Sequence, residues 1–216
     1  MKPALTRCIV IAAVCLAAGL MVTGNGCGLS RTPRPSPRSY LLDYPAPQAV
    51  QKPALPVVIR VERFSAAPEL SGVQMLYRDA PYASTAYSLY RWRAAPADMA
   101  SFFLARDMNA SGLFTAALPY DTRLAATHSL EGRVEEFYEN DAEQKHWQAV
   151  LSVSVTLARE NEPDVTKRIV FQKTYREVRA ASVNNPQAVA GAMSEAMRSV
   201  SERIIADVYE ALSRKG

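Results

Sequence analysis

The sequence predicts an α+β domain: a mostly antiparallel sheet with a central helix and a long C-terminal amphipathic helix packed on it. Three patterns carry this. From Trp147 to Ala158, Leu151, Val153, Val155 and Leu157 alternate with Ser152, Ser154 and Thr156, the two-residue period of a strand with one wet face. From Pro186 to Ser213, Val189, Met193, Met197, Val200, Ile204, Val208 and Leu212 recur at three- and four-residue steps, the stripe of a helix lying on a core. Between them in character, Pro96-Ala-Asp98 opens a helix to about Ala110, with Pro suited to the first turn, Asp98 complementing the dipole and Gly112 as the stop. At 216 residues, 49% hydrophobic and 21% charged, the chain can bury one core of ordinary size. That composition excludes a disordered, collagen-like or disulfide-scaffold protein.

Residues 1–26 read as an export signal. Lys2 and Arg7 form a positive n-region, and Ile9 to Val22 is an uncharged apolar run of fourteen residues. A membrane-spanning helix needs about 20. Cys8 and Cys15 lie within the signal, so Cys27 is the one cysteine left after processing, and the mature domain has no internal disulfide. Cys27 behind an apolar run and after the small Gly26 resembles a bacterial lipoprotein signal, in which the cysteine becomes residue one and carries the lipid. Gly24 stands where such signals usually have Leu, and ordinary signal-peptidase cleavage, giving a soluble periplasmic protein, is the other reading. Gly28 rather than Asp follows the cysteine. By resemblance to the enterobacterial sorting rule, that points to anchoring at the outer membrane.

Residues 27–56 read as a lipid-anchored, Pro-rich tether. Seven of the fourteen prolines lie here, and Arg31 to Arg38 should be extended and semi-rigid. Its arginines either rest on anionic headgroups or are solvated spacer charges. Tyr40-Leu-Leu-Asp-Tyr44 looks like a short edge strand within it. The remaining residues, 57–216, form the single globular domain. Val57 to Glu62 alternates as a strand, and Val73 to Arg78 and Ala86 to Trp92 read as two more, joined through Asp79-Ala-Pro-Tyr82. In the helix that follows, Met99, Phe102, Phe103 and Met108 make an apolar side, with Arg106 on its flank. Leu130 to Tyr138, Trp147 to Ala158 and Lys167 to Val178 then form a strand meander with short polar connections.

The formal net charge is +4, but Lys2, Arg7, Arg31, Arg34, Arg38 and Lys52 lie in the signal and tether, opposed there by Asp43 alone. The globular part is close to neutral, so no basic face argues for nucleic acid. The two histidines, His128 and His146, belong to no cluster with metal-ligand spacing and are expected at exposed strand and loop positions. There is no Gly-x-Ser-x-Gly turn and no phosphate-binding glycine loop. Glu135 and Glu136 should point to opposite faces of their strand. Asn109-Ala-Ser111 matches a glycosylation acceptor by chance. No enzyme activity, metal or cofactor is expected.

Aromatics and arginines concentrate in Met75-Leu-Tyr-Arg78 and Tyr87-Ser-Leu-Tyr-Arg-Trp92, which suits a protein contact surface. Tyr77, Arg78, Tyr90, Arg91 and Trp92 are the candidate partner-binding residues. The other reading is a half-buried hairpin whose aromatics close the core. Alternation would put Tyr90 and Trp92 on one face and Arg91 on the other.

With Pro96, Ser111-Gly-Leu-Phe114, the Leu130-Glu-Gly-Arg-Val-Glu-Glu-Phe137 strand and the C-terminal helix, these residues resemble the ABC-type transport auxiliary lipoprotein family, which includes paraquat-inducible-protein C-like lipoproteins. The resemblance spans about residues 38–213. It implies a non-enzymatic auxiliary of an intermembrane lipid transport system, partnered by a mammalian-cell-entry (MCE) domain protein and its ABC transporter. It also implies a mixed-sheet, anticodon-binding-like α/β arrangement as the alternative fold. A homo-oligomer is left open. The alternative function is an envelope lipoprotein that activates or scaffolds a cell-wall or outer-membrane assembly enzyme.

Overall fold

A computed structural model describes residues 35–142 and 147–214. Residues 1–26, read from the sequence as an export signal, Cys27 and His146 lie outside them. In chain order the described residues form β1 (Arg38–Tyr40), β2 (Leu55–Val61), β3 (Ser65–Ala66), a 3₁₀ turn (Pro68–Leu70), β4 (Gln74–Arg78) and β5 (Thr85–Trp92). There follow α1 (Pro96–Ala110), β6 (Phe114–Pro119), β7 (His128–Asn140), β8 (Gln148–Arg159), α2 (Val165–Arg168), β9 (Ile169–Ala180) and α3 (Pro186–Ser213).

The sheet is organised around β7. On one edge it pairs antiparallel with β8, and β8 with β9. Its other edge is shared along its length by three strands, all parallel to it: β2 at His128–Leu130, β3 at Arg133 and Val134, and β4 at Glu139 and Asn140. β6 extends the sheet from β2 in parallel. β5 pairs antiparallel with β4, and β1 runs parallel to β5. Five of these eight pairings are parallel, so the sheet is mixed and the expected mostly antiparallel meander holds only for β7–β8–β9 and the β4–β5 hairpin. The reason is geometric. A short connection need not reverse the chain when the partner strand is long, and the 3₁₀ turn at Pro68–Leu70 lets the chain step forward from β3 to β4 along β7.

The long helix matches the sequence reading at both ends. The Asn185 side chain accepts from the Ala188 N–H at 2.8 Å, and Pro186 stands in the first turn. Val189, Met193, Met197, Val200, Ile204 and Val208 are all buried in one core cluster with Leu151, Val153, Val155 and Leu157, and the helix packs mainly on β8 and β9. The outer face of β8 is only partly wet: Ser154 bonds Thr174 across strands at 2.8 Å, whereas Ser152 is buried. Gly112 ends α1 with φ +67°, a conformation that favours glycine. The Asn109 amide then closes on the backbone of β6, donating to the Ala117 carbonyl and accepting from its N–H. Asn109 therefore has a structural role, tying the end of α1 to β6.

The compact unit begins at Ser36 and takes in residues read from sequence as tether. Leu42 and Tyr44 are buried in the main core. The Tyr44 hydroxyl donates to Asp107 at 2.8 Å, and its ring stacks on Phe103 with centroids 5.0 Å apart. His128 is buried rather than exposed, its Nδ1 2.9 Å from the Thr127 hydroxyl. Burial, with Arg159 nearby, lowers its pKa and keeps it neutral at neutral pH.

Candidate partner-binding surface

The β4–β5 hairpin is irregular, and that irregularity builds the surface. Gln74 stands opposite Arg91 while Leu76 stands opposite Ala86, so β5 bulges across a two-residue step of β4. In a regular strand Tyr87 and Tyr90 would face opposite sides. Here their rings meet, centroids 5.5 Å apart. Tyr77 lies 4.7 Å from Tyr87, and Tyr40 of β1 lies 6.1 Å from Tyr90, giving four tyrosines in one contiguous, half-buried row. Two of these contacts are edge-to-face and Tyr77–Tyr87 is tilted, and aromatic pairs of this kind stabilise by about 0.5–1.5 kcal/mol beyond simple burial.

The five residues singled out in the sequence are distributed over this hairpin unequally. Tyr77 and Tyr90 join the row through Tyr87. Trp92 is 2% exposed and packs edge-on against Phe137 at 5.0 Å, inside the core. Arg78 lies over the Tyr138 ring at 4.0 Å, a cation–π contact away from the row. Arg91 is exposed, paired in register with Ser39 and Gln74. The Tyr40 contribution was not visible locally, because only the parallel β1–β5 pairing brings it there.

Glu139 lies beneath the row, 2% exposed, accepting from the Tyr87 hydroxyl at 2.8 Å. Burial raises its pKa, Asp141 adds to the rise, and the Tyr87 hydrogen bond partly offsets it. The same burial and bond push the Tyr87 hydroxyl up. With its folded pKa above the ordinary carboxylate value, Glu139 binds more proton folded than unfolded. It therefore withdraws stability as pH rises from that ordinary value through the folded one. Glu139→Gln keeps an acceptor for Tyr87 without the buried charge, so its melting temperature should exceed the parent's at pH 7. The gain should shrink on acidification to pH 4, and equal melting at both pH values would refute the assignment.

The apolar side of α1 also departs from the sequence reading. Met99 and Met108 are buried, but Phe102 is 65% exposed. With Met99, Phe103, Arg106, Pro119 and Tyr120 it lines an open groove of about 760 Å³. Arg63 forms two hydrogen bonds to Asp98 at its rim. Glu135 and Glu136 fall at a bulge of β7, between Val134 and Phe137, which are both in the core, so the expected alternation of the two carboxylates does not hold; Glu135 pairs with Arg133, while Glu136 accepts from Tyr138 and Arg176. Among the described residues no group of three His, Cys, Asp or Glu side chains is placed to hold a metal ion.

An α+β unit with a mixed sheet, two flanking helices and a tyrosine-lined hairpin defines the class of fold. The sequence model of the ABC-type transport auxiliary lipoprotein component family matches residues 40–205, and the chain belongs to that family. The family consists of lipoproteins that accompany ABC-type transport, which makes this an envelope lipoprotein. The fold is similar to that of protein XCC0632 from Xanthomonas campestris, assigned to DUF330, with 19% identity, 82% of this chain and 98% of that one covered, and a TM-score of 0.73. It is also similar to a second solved structure, of an uncharacterized protein, with 11% identity, 76% and 99% coverage and a TM-score of 0.58. No curated protein sequence matches the chain.

Proposed function

We propose that this protein is a non-enzymatic auxiliary component of an intermembrane lipid transport system, anchored to the outer membrane through lipidated Cys27. In this reading it receives or braces an MCE-domain protein that bridges the periplasm from its ABC transporter. The observation that carries it is the family match across residues 40–205, joined to a rigid, partly exposed tyrosine row on the β4–β5 hairpin. A pre-formed aromatic surface suits docking, because few side chains lose freedom on binding.

Arg91 is the probe of this surface, since it is exposed and its removal leaves the core intact. An interface arginine can contribute about 2 kcal/mol, roughly thirtyfold in affinity. Arg91→Ala should reduce co-purification with the MCE-domain protein while the melting temperature stays within a degree or so of the parent's. A variant that melts earlier yet binds normally makes Arg91 a pairing residue of the β1–β5 edge instead. For the anchor, Cys27→Ser should abolish acyl labelling and move the protein to the soluble periplasmic fraction. Unchanged membrane fractionation, with no label on the parent, would remove the lipid anchor from this reading.

A further inference from the structure

We infer that the tip of the β4–β5 hairpin, centred on Tyr82, is a second membrane contact, seated at the lipid–water interface beside the anchor. This rests on the lipid-anchored reading above. The Ala83 N–H bonds the Ala80 carbonyl at 3.2 Å, closing a four-residue turn with Pro81 and Tyr82 at its centre. Tyr82 has φ +63°. That is the position of a proline-led turn where glycine or asparagine is favoured, because a side chain there is strained. The residue in this strained place is a large aromatic, and it is 109% exposed, so among the described residues nothing packs on it to offset the strain. Backbone strain of this kind clusters at functional sites. The turn residues themselves, Ala80, Pro81, Tyr82 and Ala83, carry no charge.

The topology says what lies beyond the tip. β1 runs parallel to β5 with Arg38 opposite Tyr90 and Tyr40 opposite Trp92, so the N-terminal end of β1 points along β5 toward Thr85 and the turn. The N-terminal end of this unit therefore lies on the hairpin's tip side. From Cys27 to Arg38 there are eleven steps in the sequence, at most about 3.6 Å each, so an anchored Cys27 keeps the unit within about 40 Å of the bilayer. The pairings of β4 with β7, β7 with β8 and β8 with β9 bring the end of β9 to the same end of the sheet, where Val183 is 50% exposed. Tyrosine, with an apolar ring and a polar hydroxyl, is suited to the interface rather than to the hydrocarbon.

The test uses the lipidated protein, purified from membranes and reconstituted into phosphatidylethanolamine–phosphatidylglycerol vesicles. A polarity-sensitive fluorophore is placed on Ser84→Cys, two residues from Tyr82, or on Leu124→Cys as a control. Leu124 is 66% exposed and lies near the start of β7, at the opposite end of that strand. In vesicles the Ser84 label should shift to the blue and lose sensitivity to iodide several-fold, while the Leu124 label stays fully quenchable. Adding Tyr82→Gly should raise the melting temperature, by relieving the turn, and return the Ser84 label to the control's quenching. If the protein floats with vesicles and the Ser84 label remains as quenchable as the control, the tip inference is wrong and the anchor stands. Protection that survives Tyr82→Gly, or that develops only when an envelope protein is added, also overturns it. Failure of the protein to float removes the anchor and this inference with it.

Discussion

Met197→Ala and Ile204→Ala should each lower the unfolding free energy by about 2–5 kcal/mol, read as earlier midpoints in urea with little change in slope. Both side chains are almost fully buried on the inner stripe of α3, at 1% and 0% exposure. They face the sheet strands β8 and β9, so truncation leaves a cavity between helix and sheet that neither element can close alone. The two sites lie seven residues apart, about 10.5 Å along the helix, far enough for their effects to add. A domain with total stability of about 5–15 kcal/mol should be largely unfolded by the double variant. If neither midpoint moves, the stripe faces a partner or a membrane in the working protein, and the arrangement of helix on sheet described here is not the one in solution.

Asp107→Ala should be nearly as damaging, at about 3 kcal/mol, because it strands two partners at once. The Asp107 carboxylate is 1% exposed and accepts from the Tyr44 hydroxyl and from Arg106 Nε, both at 2.8 Å. The Arg106 guanidinium also donates to the Tyr44 carbonyl at 3.1 Å and lies 4.5 Å from the Tyr44 and Phe103 rings. Arg106 keeps some solvent access, which holds the expected loss to the lower end of the range for buried pairs. Tyr44→Phe removes a single hydrogen bond and should lose only about 1 kcal/mol. The contrast is the check: equal losses from the two variants would mean that the Tyr44 bond is the carboxylate's whole contribution and that its pairing with Arg106 within α1 adds nothing.

Much of the architecture was legible where one physical signal dominated. The stripe of α3 and the alternation of Leu151, Val153, Val155 and Leu157 each report burial on one side, and burial on one side is what packing requires. Pro96 and Gly112 marked the ends of α1 through backbone constraints that neighbours do not override. What escaped depended on partners distant in sequence. β6 carries a mid-strand Ala-Ala and a terminal Pro119, and it becomes a strand because β2 offers an edge beside it. The parallel order along β7 has no local signature, since the same alternation serves either direction. Tyr40 to Tyr44 read as a short edge strand of the tether, whereas the strand is Arg38–Tyr40 and Tyr44 is buried in the core, held by Asp107 more than sixty residues on. For the candidate surface, the density of tyrosine and arginine was visible, but not which residues meet. The bulge in β5 brought Tyr87 to the side of Tyr90, while Tyr90 and Trp92 keep the same face, with Arg91 outward, and only Trp92 runs on into the core.

The edge of β7 shared by β2, β3 and β4 also bears on how the molecule comes into being. Those three strands precede β7 in the chain and have no edge to complete the sheet until residues 128–140 arrive. Pairings at such separation must close long loops before they return any stability, which slows folding. An exported chain delivered from its N-terminus would thus hold the β4–β5 hairpin with its tyrosine edge open while β7 is still missing. During that interval the hairpin can pair with a neighbouring chain. Changes that weaken β7 should reduce the yield of folded protein by aggregation more than their effect on the finished domain's stability would indicate.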